Sequence, residues 1–192
     1  MSLVIAFIGA QGAVMAGDLR EITTRGDAIA TQTLEQELYT GRIVTDADLK
    51  RRAEELGIAL SIRDDKRKVR PRDGILVGEV SESEGGVVKQ RRLYTTVGEY
   101  ALAEITGAAF RLTGSGGAGN FVVLGNQITQ QISHACISEL WKNGTITDAI
   151  RIIILSMERA SAATASVSAL YTVIQTPAKA SLSAVIERDN AT

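Results

Sequence analysis

The sequence SLVIAFIGAQGAVMAGDLR, residues 2–20, follows the initiator Met1 directly. Two apolar runs, Leu3–Gly9 and Ala13–Gly17, flank the glycine-containing segment Ala10–Gly12, and this pattern predicts a β-hairpin. Chain ends are generally frayed, so a strand that starts at the third residue needs a reason. Because a hairpin brings its two ends together, the start of the chain is expected to lie beside the residues that follow the second strand.

Ser2 carries the chemistry that explains this start. Removal of Met1, which a residue as small as Ser2 permits, would place a hydroxyl and a free α-amine on one residue. The α-amine has an ordinary pKa of about 7.7–8.0, so it can accept the proton of its own hydroxyl near neutral pH. Asp18 and Arg20 point to one face of an extended chain and arrive near Ser2, where they can orient the amine and tune its pKa. The alternative for this pair is a surface ion pair at a strand end.

The block Ser2–Arg20 resembles the opening of proteasome β-type subunits, in which an N-terminal hydroxyl nucleophile precedes such a hairpin and an Asp-x-Arg sequence. More narrowly, the chain resembles connectases, the proteasome-related protein ligases of methanogenic archaea, in Ser2–Thr24 and in the basic strand Lys66–Val80. The resemblance implies the α+β fold of N-terminal nucleophile hydrolases, a four-layer αββα sandwich. We expect residues 2–192 to form one such domain and the C-terminal domain of the family to be absent.

Composition narrows the class of protein. The 192 residues, 45% of them hydrophobic, suffice for one domain with a sizeable core. A formal net charge of −1 gives no overall attraction to nucleic acid or to membranes. The one cysteine, Cys136, excludes an intrachain disulfide and suits a reducing compartment. No apolar run approaches the roughly 20 residues of a membrane span, and a signal peptide is not evident. We therefore expect a cytoplasmic protein, with no cofactor and no metal site.

Periodicity predicts the elements beyond the first hairpin. A helix from the capping-box-like Thr45–Asp48, followed by strand Ile58–Ile62, forms an insert at about residues 40–66 relative to proteasome subunits. Further predictions are paired strands Gly74–Ser81 and Val87–Thr95, strand Phe121–Leu124, helices Gln127–Lys142 and Asp148–Ala160 (capped by Thr147), and a final hairpin of Leu170–Gln175 with Leu182–Glu187. The segment Tyr94–Leu112 fits both strand and helix. The pattern alone indicates mixed α and β in segregated blocks, and the resemblance implies the αββα sandwich with a reduced helical layer.

The resemblance also implies further site residues. Lys68 matches the family's lysine beside the nucleophile, and Lys66, on the same face, is the second candidate; a solvated edge strand is the alternative for this basic run. Asn126 stands where the family has a supporting serine. Ser161 and Thr164 stand near the positions of an Asp and a Ser that bond the N-terminal residue in proteasome subunits.

Two glycine positions complete the candidates. The backbone N–H of Gly78 is a candidate oxyanion donor. The run Gly114–Gly119 has G-x-G-x-x-G spacing, but a strand rather than a helix follows it, which disfavours nucleotide binding. A flexible turn or a wall of the substrate cleft, at Ser115 and Gly116, is the preferred interpretation.

The resemblance implies a sequence-specific transpeptidase. Ser2 Oγ would attack a Lys-Asp-Pro-Gly-Ala-like motif, hold the acyl part on the enzyme's N-terminus and pass it to an incoming N-terminal amine. The partner implied is the tetrahydromethanopterin S-methyltransferase, through one of its subunits. The alternatives are an N-terminal-nucleophile peptidase and a noncatalytic proteasome-like structural module. A missing helical layer would remove the ring contacts of proteasomes, so we expect a monomer. No aromatic residues are interleaved with the basic run, which disfavours nucleic acid as a partner.

Overall fold

A computed structural model of the chain describes residues 3–84 and 87–190, which form eleven β-strands and five α-helices. The predicted nucleophile Ser2 lies outside the described residues. The strands are β1 (Val4–Ile8), β2 (Ala13–Asp18), β3 (Arg20–Arg25), β4 (Ala59–Asp64), β5 (Val69–Arg72), β6 (Ile75–Glu84), β7 (Val87–Thr96), β8 (Glu99–Thr106), β9 (Ala109–Gly117), β10 (Asn120–Leu124) and β11 (Tyr171–Thr176). The helices are α1 (Ala28–Tyr39), α2 (Asp46–Glu55), α3 (Gln127–Leu140), α4 (Ile146–Ala163) and α5 (Leu182–Asn190).

The first hairpin forms as predicted. β1 and β2 pair antiparallel from Val4↔Gly17 to Ile8↔Ala13, and the Gly9 N–H donates to the Gly12 carbonyl at 2.8 Å across the turn. The two strands occupy the centre of a four-stranded sheet of order β10-β1-β2-β11. Every residue of both strands is buried, so both faces of this sheet are covered.

The two faces of the central sheet pack against different neighbours. Side chains alternate along a strand, so Leu3, Ile5 and Phe7 lie in a core with α4 residues such as Ile153 and Met157. Val4, Ala6 and Ile8 instead belong to a core shared with the five-stranded sheet of order β5-β6-β7-β8-β9. The α3–α4 pair and the five-stranded sheet therefore lie on opposite faces of the central sheet.

Helix α5 covers the other face of the five-stranded sheet. Its Leu182 and Val185 are buried with Ile75, Val77 and Tyr94. The prediction of a strand over Leu182–Glu187 is therefore wrong. A short apolar run cannot be assigned by periodicity alone, and here the three-residue spacing of Leu182 and Val185 places both side chains on one face of a helix.

The segment between β2 and β5 forms a two-stranded sheet of its own and a third core, which Ala165 also joins. β3 and β4 pair antiparallel, from Arg20↔Asp64 to Arg25↔Ala59, and α1 and α2 supply Leu34, Leu38 and Leu49 to a third core. The helix predicted from Thr45 and the strand predicted at Ile58–Ile62 correspond to α2 and β4. Helix α1 was not predicted, although Asp27 caps its first turn by accepting from the Ile29 and Ala30 N–H groups.

The structure corrects the predicted start of helix α4 and settles the conformation of an ambiguous segment. Helix α4 begins two residues earlier than expected, because Thr145 and Asp148 form a reciprocal capping box, so Thr147 is not the cap. The ambiguous segment Tyr94–Leu112 is extended and supplies parts of β7, β8 and β9. The mixed α/β class is confirmed, with antiparallel sheets and helices in separate blocks. Over the two described ranges, no helix combines the length and apolar character needed to cross a bilayer.

Candidate functional site

Asp18, at the end of β2, is the centre of the candidate site. Its side chain is fully buried, and Oδ1 accepts the Leu3 N–H at 2.7 Å. Oδ2 accepts the Arg20 N–H at 2.9 Å, and the Ser168 N–H approaches it at 3.4 Å. Asp18 thereby holds the backbone of the residue that follows Ser2, at the open end of the hairpin, opposite the turn.

Lys68 is the cation of this site. Its Nζ lies 2.6 Å from Asp18 Oδ1, and its side chain is only 2% exposed. Burial lowers the pKa of Lys68, while the charge of Asp18 opposes that shift. A lysine held in this way releases a proton more easily than a hydrated lysine does, which suits it to proton transfer.

Lys66 lies outside this cluster. Its Nζ bonds to the Glu21 carboxylate at 2.7 Å, and its side chain is 49% exposed. A strand through both lysines would place Lys66 and Lys68 on one face, but β5 begins only at Val69. The structure therefore brings Lys68 to Asp18 and leaves Lys66 on the surface.

Arg20 pairs with two carboxylates of the α2–β4 segment instead of with the Asp18 carboxylate. Its guanidinium donates to Asp64 twice at 2.9 Å and to Asp46 at 2.5 and 3.2 Å, and it also reaches the Ala165 carbonyl at 2.8 Å. Hydrogen bonds to the Asp64 and Asp46 carboxylates outweigh burial and raise the pKa of Arg20. Arg20 is thus a permanent cation that ties this segment to the strand carrying Asp18.

Asn126 and Thr164 belong to a second buried polar group. Asn126 caps α3 by accepting the Thr129 N–H at 3.0 Å, and its Nδ2 donates to Ser166 Oγ at 2.9 Å. Thr164 Oγ1 lies 3.0 Å from Ser166 Oγ and 3.4 Å from the Leu38 carbonyl. These contacts link the start of α3 to the last turn of α1.

Of the two hydroxyls expected after the apolar helix, Ser161 is not brought to this group. Its Oγ donates to the Glu158 carbonyl at 3.0 Å within α4. The residues that sequence reasoning missed are Ser166 and Ser168, both buried. With Thr164 they occupy every second position of the turn that follows α4, so this spacing of hydroxyl residues is the signal that identifies them.

Gly78 lies in the middle of β6, where its N–H is directed at a neighbouring strand. The Glu79 N–H donates to the Lys68 carbonyl at 2.9 Å. Because N–H groups alternate along a strand, that of Gly78 faces β7, where Leu93 is its partner. A Cβ at position 78 would lie 2.7 Å from both Met15 Sδ and Val4 Cγ1. The glycine is thus accounted for by close packing of the two sheets, and its role as an oxyanion donor stays a prediction.

Ser115 and Gly116 lie in β9, beside Ala101 and Tyr100 of β8. The turn that follows β9 is fastened to the far end of β1, since the Gly119 N–H donates to the Ile8 carbonyl at 2.7 Å. Asp18 lies at the other end of this strand, which is roughly 15 Å long. The structure does not bring Ser115 and Gly116 to the Asp18 site, and their role as a cleft wall stays a prediction.

A cleft of about 1610 Å³ opens beside Arg20 and Asn126. Its walls are β3, the length of α1, parts of β6 and β7, and the start of α3 from Gly125 to Gln130. Arg20 and Asn126 both line it, whereas Asp18 and Lys68 are not part of its wall. The cleft is large enough for several residues of a peptide, since ligand sites of about 300–1,000 Å³ hold drug-sized molecules.

The arrangement can fix one backbone position, supply a nearby positive charge and exchange a proton. Asp18 performs the first task through the Leu3 N–H, and Lys68 performs the other two. Within the described part of the chain, no group of three His, Cys, Asp or Glu side chains could hold a metal ion.

Comparison with known proteins gives one family. The family model for the connectase MJ0548-like N-terminal domain matches residues 1–191. No curated protein sequence matches the chain. Solved structures similar to it include Anbu (ancestral beta-subunit) from Yersinia bercovieri, 12% identical, covering 91% of this chain and 81% of that chain with a TM-score of 0.44. The Anbu complex from Pseudomonas aeruginosa, a helical assembly, is 13% identical and has a TM-score of 0.43. The match covers 98% of this chain and 92% of that chain. An Anbu (Gly-1) mutant from Hyphomicrobium sp. strain MC1 is 12% identical and has a TM-score of 0.41. The match covers 90% of this chain and 80% of that chain.

Proposed function

Because the chain belongs to the family of connectase MJ0548-like N-terminal domains, we propose that it is a transpeptidase whose nucleophile is Ser2, freed by removal of Met1. The observation that carries the proposal is the Asp18 carboxylate, which binds both the Leu3 N–H at 2.7 Å and Lys68 Nζ at 2.6 Å. A buried acid and a lysine of lowered pKa are therefore gathered where the chain passes from Leu3 to residue 2.

In the proposed reaction, Ser2 Oγ attacks a substrate carbonyl and its own α-amine accepts the hydroxyl proton. The C–N bond of the substrate breaks, the departing amine takes a proton, and an ester to Ser2 remains. Lys68 serves this step in two ways. Its positive charge lowers the pKa of a neighbouring amine, and its own lowered pKa allows it to relay a proton.

The ester then has two fates that define the activity. It passes to the α-amine through a small cyclic intermediate and leaves an amide-linked conjugate, which an incoming N-terminal amine resolves. Attack by water instead would make the protein a peptidase. We infer that aminolysis prevails in the cleft, with a Lys-Asp-Pro-Gly-Ala-like motif as substrate and one subunit of the tetrahydromethanopterin S-methyltransferase as the protein that carries it.

The packing supports the fold that this function needs. Helices α3 and α4 lie against one face of the central sheet, the five-stranded sheet against the other, and α5 beyond that. We take this order as an αββα sandwich of the N-terminal nucleophile type, in which α5 supplies the helical layer over the five-stranded sheet. The same proposal makes the domain active as a monomer.

Intact-mass spectrometry tests the proposal. Protein mixed with a Lys-Asp-Pro-Gly-Ala peptide is expected to lack Met1 and to gain the mass of the acyl fragment. Addition of a peptide that begins with Pro should discharge the adduct into a ligated product. The Ser2→Ala variant, with its fold checked by circular dichroism, should form no adduct; unchanged turnover by this variant would refute the assignment. Peptide cleavage without adduct or exchange would identify a peptidase.

A further inference from the structure

Within the cleft, one acidic side chain has no hydrogen bond or ion pair with any residue that the structure describes. Of the charged residues in the lining, Arg20 is bound to Asp46 and Asp64, Glu21 to Lys66 and Arg63, and Glu82 to Arg91. Arg25, at the end of β3, is exposed to solvent. Glu35, in the middle of α1, is half-buried, and its carboxylate has no hydrogen bond or ion pair among residues 3–84 and 87–190.

Tyr39 and Glu82 share the cleft with Glu35. Tyr39 lies four residues further along α1, on the same side of the helix, and it also lines the cleft. Burial raises the pKa of Tyr39, and the charges of Glu35 and Glu82 raise it further. The two carboxylates therefore lie close enough to influence one phenol, and the sites that Glu35 and Tyr39 offer to a ligand are a carboxylate, a hydroxyl oxygen and an aromatic ring.

A half-buried carboxylate without a partner is unfavourable, because burial removes water from the charge without replacing it. Burial accordingly raises the pKa of Glu35. A cation delivered by a ligand would give the carboxylate a partner that the described residues do not provide, with a charge-assisted hydrogen bond and contact with the Tyr39 ring. Lys66 and Arg91 also line the cleft, but each is already bound to a carboxylate.

The helix that carries Glu35 is linked to the second buried polar group, that of Asn126 and Thr164. The carbonyl of Leu38, one turn further along α1, accepts from Thr164 Oγ1, which contacts Ser166 and through it Asn126. Helix α1 is thus hydrogen-bonded to the polar group beside the site and is not an independent surface helix. A peptide in the cleft would pass from α1 towards Asn126 and Arg20.

From these contacts we propose that Glu35 binds a cationic side chain of the peptide substrate and, with Tyr39, determines specificity for a lysine or arginine close to the scissile bond. The inference rests on the proposed function for the identity of the ligand as a peptide. It adds the residue that selects one side chain of that peptide, and it gives α1 a role in recognition.

The test uses three peptides that contain X-Asp-Pro-Gly-Ala, with X lysine, norleucine or glutamate. Norleucine matches the lysine stem without its charge. Affinities are measured by calorimetry on the Ser2→Ala protein, in which binding is read without turnover. We expect the lysine peptide to bind about 10- to 100-fold tighter than the norleucine peptide, the range of a hydrogen bond to a charged group. The glutamate peptide is expected to bind most weakly.

Two substitutions at position 35 and one control assign this preference. Glu35→Gln, added to Ser2→Ala, should bring the lysine-to-norleucine ratio towards one, and Glu35→Lys should favour the glutamate peptide. Glu54→Gln removes an exposed charge of α2 outside the cleft and should leave the ratio unchanged. Equal affinities for the three peptides, or a ratio that Glu35→Gln and Glu35→Lys do not alter, would overturn the inference.

The two proposals fail in different ways. If the Ser2 protein forms an adduct but the affinities are equal, the transpeptidase stands and the role of Glu35 is lost. If no adduct forms with any peptide but the lysine preference depends on Glu35, the chemistry is lost and the binding inference stands.

Discussion

Two buried ionic clusters, one around Asp18 and one around Asp189, have similar residue types and differ in what their cations can do. Asp189, near the end of α5, accepts from Arg72, from Arg92 at 2.9 Å and from the Tyr94 hydroxyl at 2.7 Å, and its side chain is 5% exposed. Both clusters join segments that are distant in the chain.

The groups of the Asp189 cluster keep their protonation states near neutral pH. Its cations are arginines, which stay charged at any pH of interest, and burial raises the pKa of Tyr94 to about 12. The Asp18 cluster instead contains Lys68, whose pKa is lowered by burial, and it binds the backbone beside the predicted nucleophile. Burial of an ion pair therefore does not identify a functional site; a group that can change its protonation state does.

The largest expected effect is on activity, at Lys68. Lys68→Arg keeps the positive charge beside Asp18 but removes the readily exchanged proton, and we expect adduct formation to slow by about 10²- to 10⁴-fold, the range of general acid–base catalysis. The melting temperature, measured in parallel, shows whether the variant folds. Lys66→Ala is the matched variant, and its rate should stay near that of the wild type. Equal losses in the two variants would contradict the assignment of Lys68.

The second effect is on stability, at Asp189. Asp189→Ala leaves two partly buried arginines without this carboxylate, so we expect the free energy of unfolding to fall by roughly 3 kcal/mol, or about 6–12 °C in melting temperature. Activity per folded molecule should be retained. Asp73→Asn is the control, because it removes an exposed pair with Arg188, and Asn tolerates the positive φ of 50° at this position. Loss of adduct formation by folded Asp189→Ala protein would make this cluster part of the site.

A third, smaller effect concerns how the free energy of unfolding depends on pH through the Arg20–Asp64 ion pair. The hydrogen bond from Arg20 lowers the pKa of Asp64 below its ordinary 3.8. The resulting stabilisation is present above pH 3.8 and is lost as the pH falls through the lowered pKa. Asp64→Asn should therefore cost about 1 kcal/mol at neutral pH, and the difference from the wild type should shrink below pH 4. Urea unfolding at several pH values measures it; a difference independent of pH would contradict the ionic role of Asp64.

The smallest expected effect is a gain in stability, and it comes from replacing Glu35. Its pKa is raised by burial above the ordinary 4.5, so its contribution to stability is greatest below pH 4.5 and declines as the pH rises through the raised value. Glu35→Gln should therefore melt slightly higher than the wild type at pH 7 and at the same temperature near pH 4. A lower melting temperature at pH 7 would mean that the carboxylate already has a stabilising partner.

The sequence alone is sufficient to predict the first hairpin and the position of Asp18 at the end of β2. The two apolar runs and the glycine-containing turn predict β1 and β2, and the position of Asp18 after the second run places it beside the chain start. Lys68 could not be separated from Lys66, because a strand through both would put them on one face. Only the register of β5, which begins at Val69 and pairs with Gly78, makes the distinction.

Other parts of the molecule depend on contacts that no local pattern encodes. Helix α1 buries only Leu34 and Leu38, and its other apolar residues do not continue their spacing, so its periodicity is weak. The run at Leu182 is too short to separate strand from helix before the five-stranded sheet is known. The roles of Ser166 and Glu35 depend on Asn126 and on the cleft, both of which are assembled from segments far apart in the chain.

Peptide mapping of the trapped conjugate tests the central claim most directly. The protein is mixed with the Lys-Asp-Pro-Gly-Ala peptide, quenched in acid, digested and sequenced by tandem mass spectrometry. The account predicts that the acyl fragment is attached to residue 2 of a chain that has lost Met1. Attachment to any other residue, or turnover by protein that retains Met1, would contradict it.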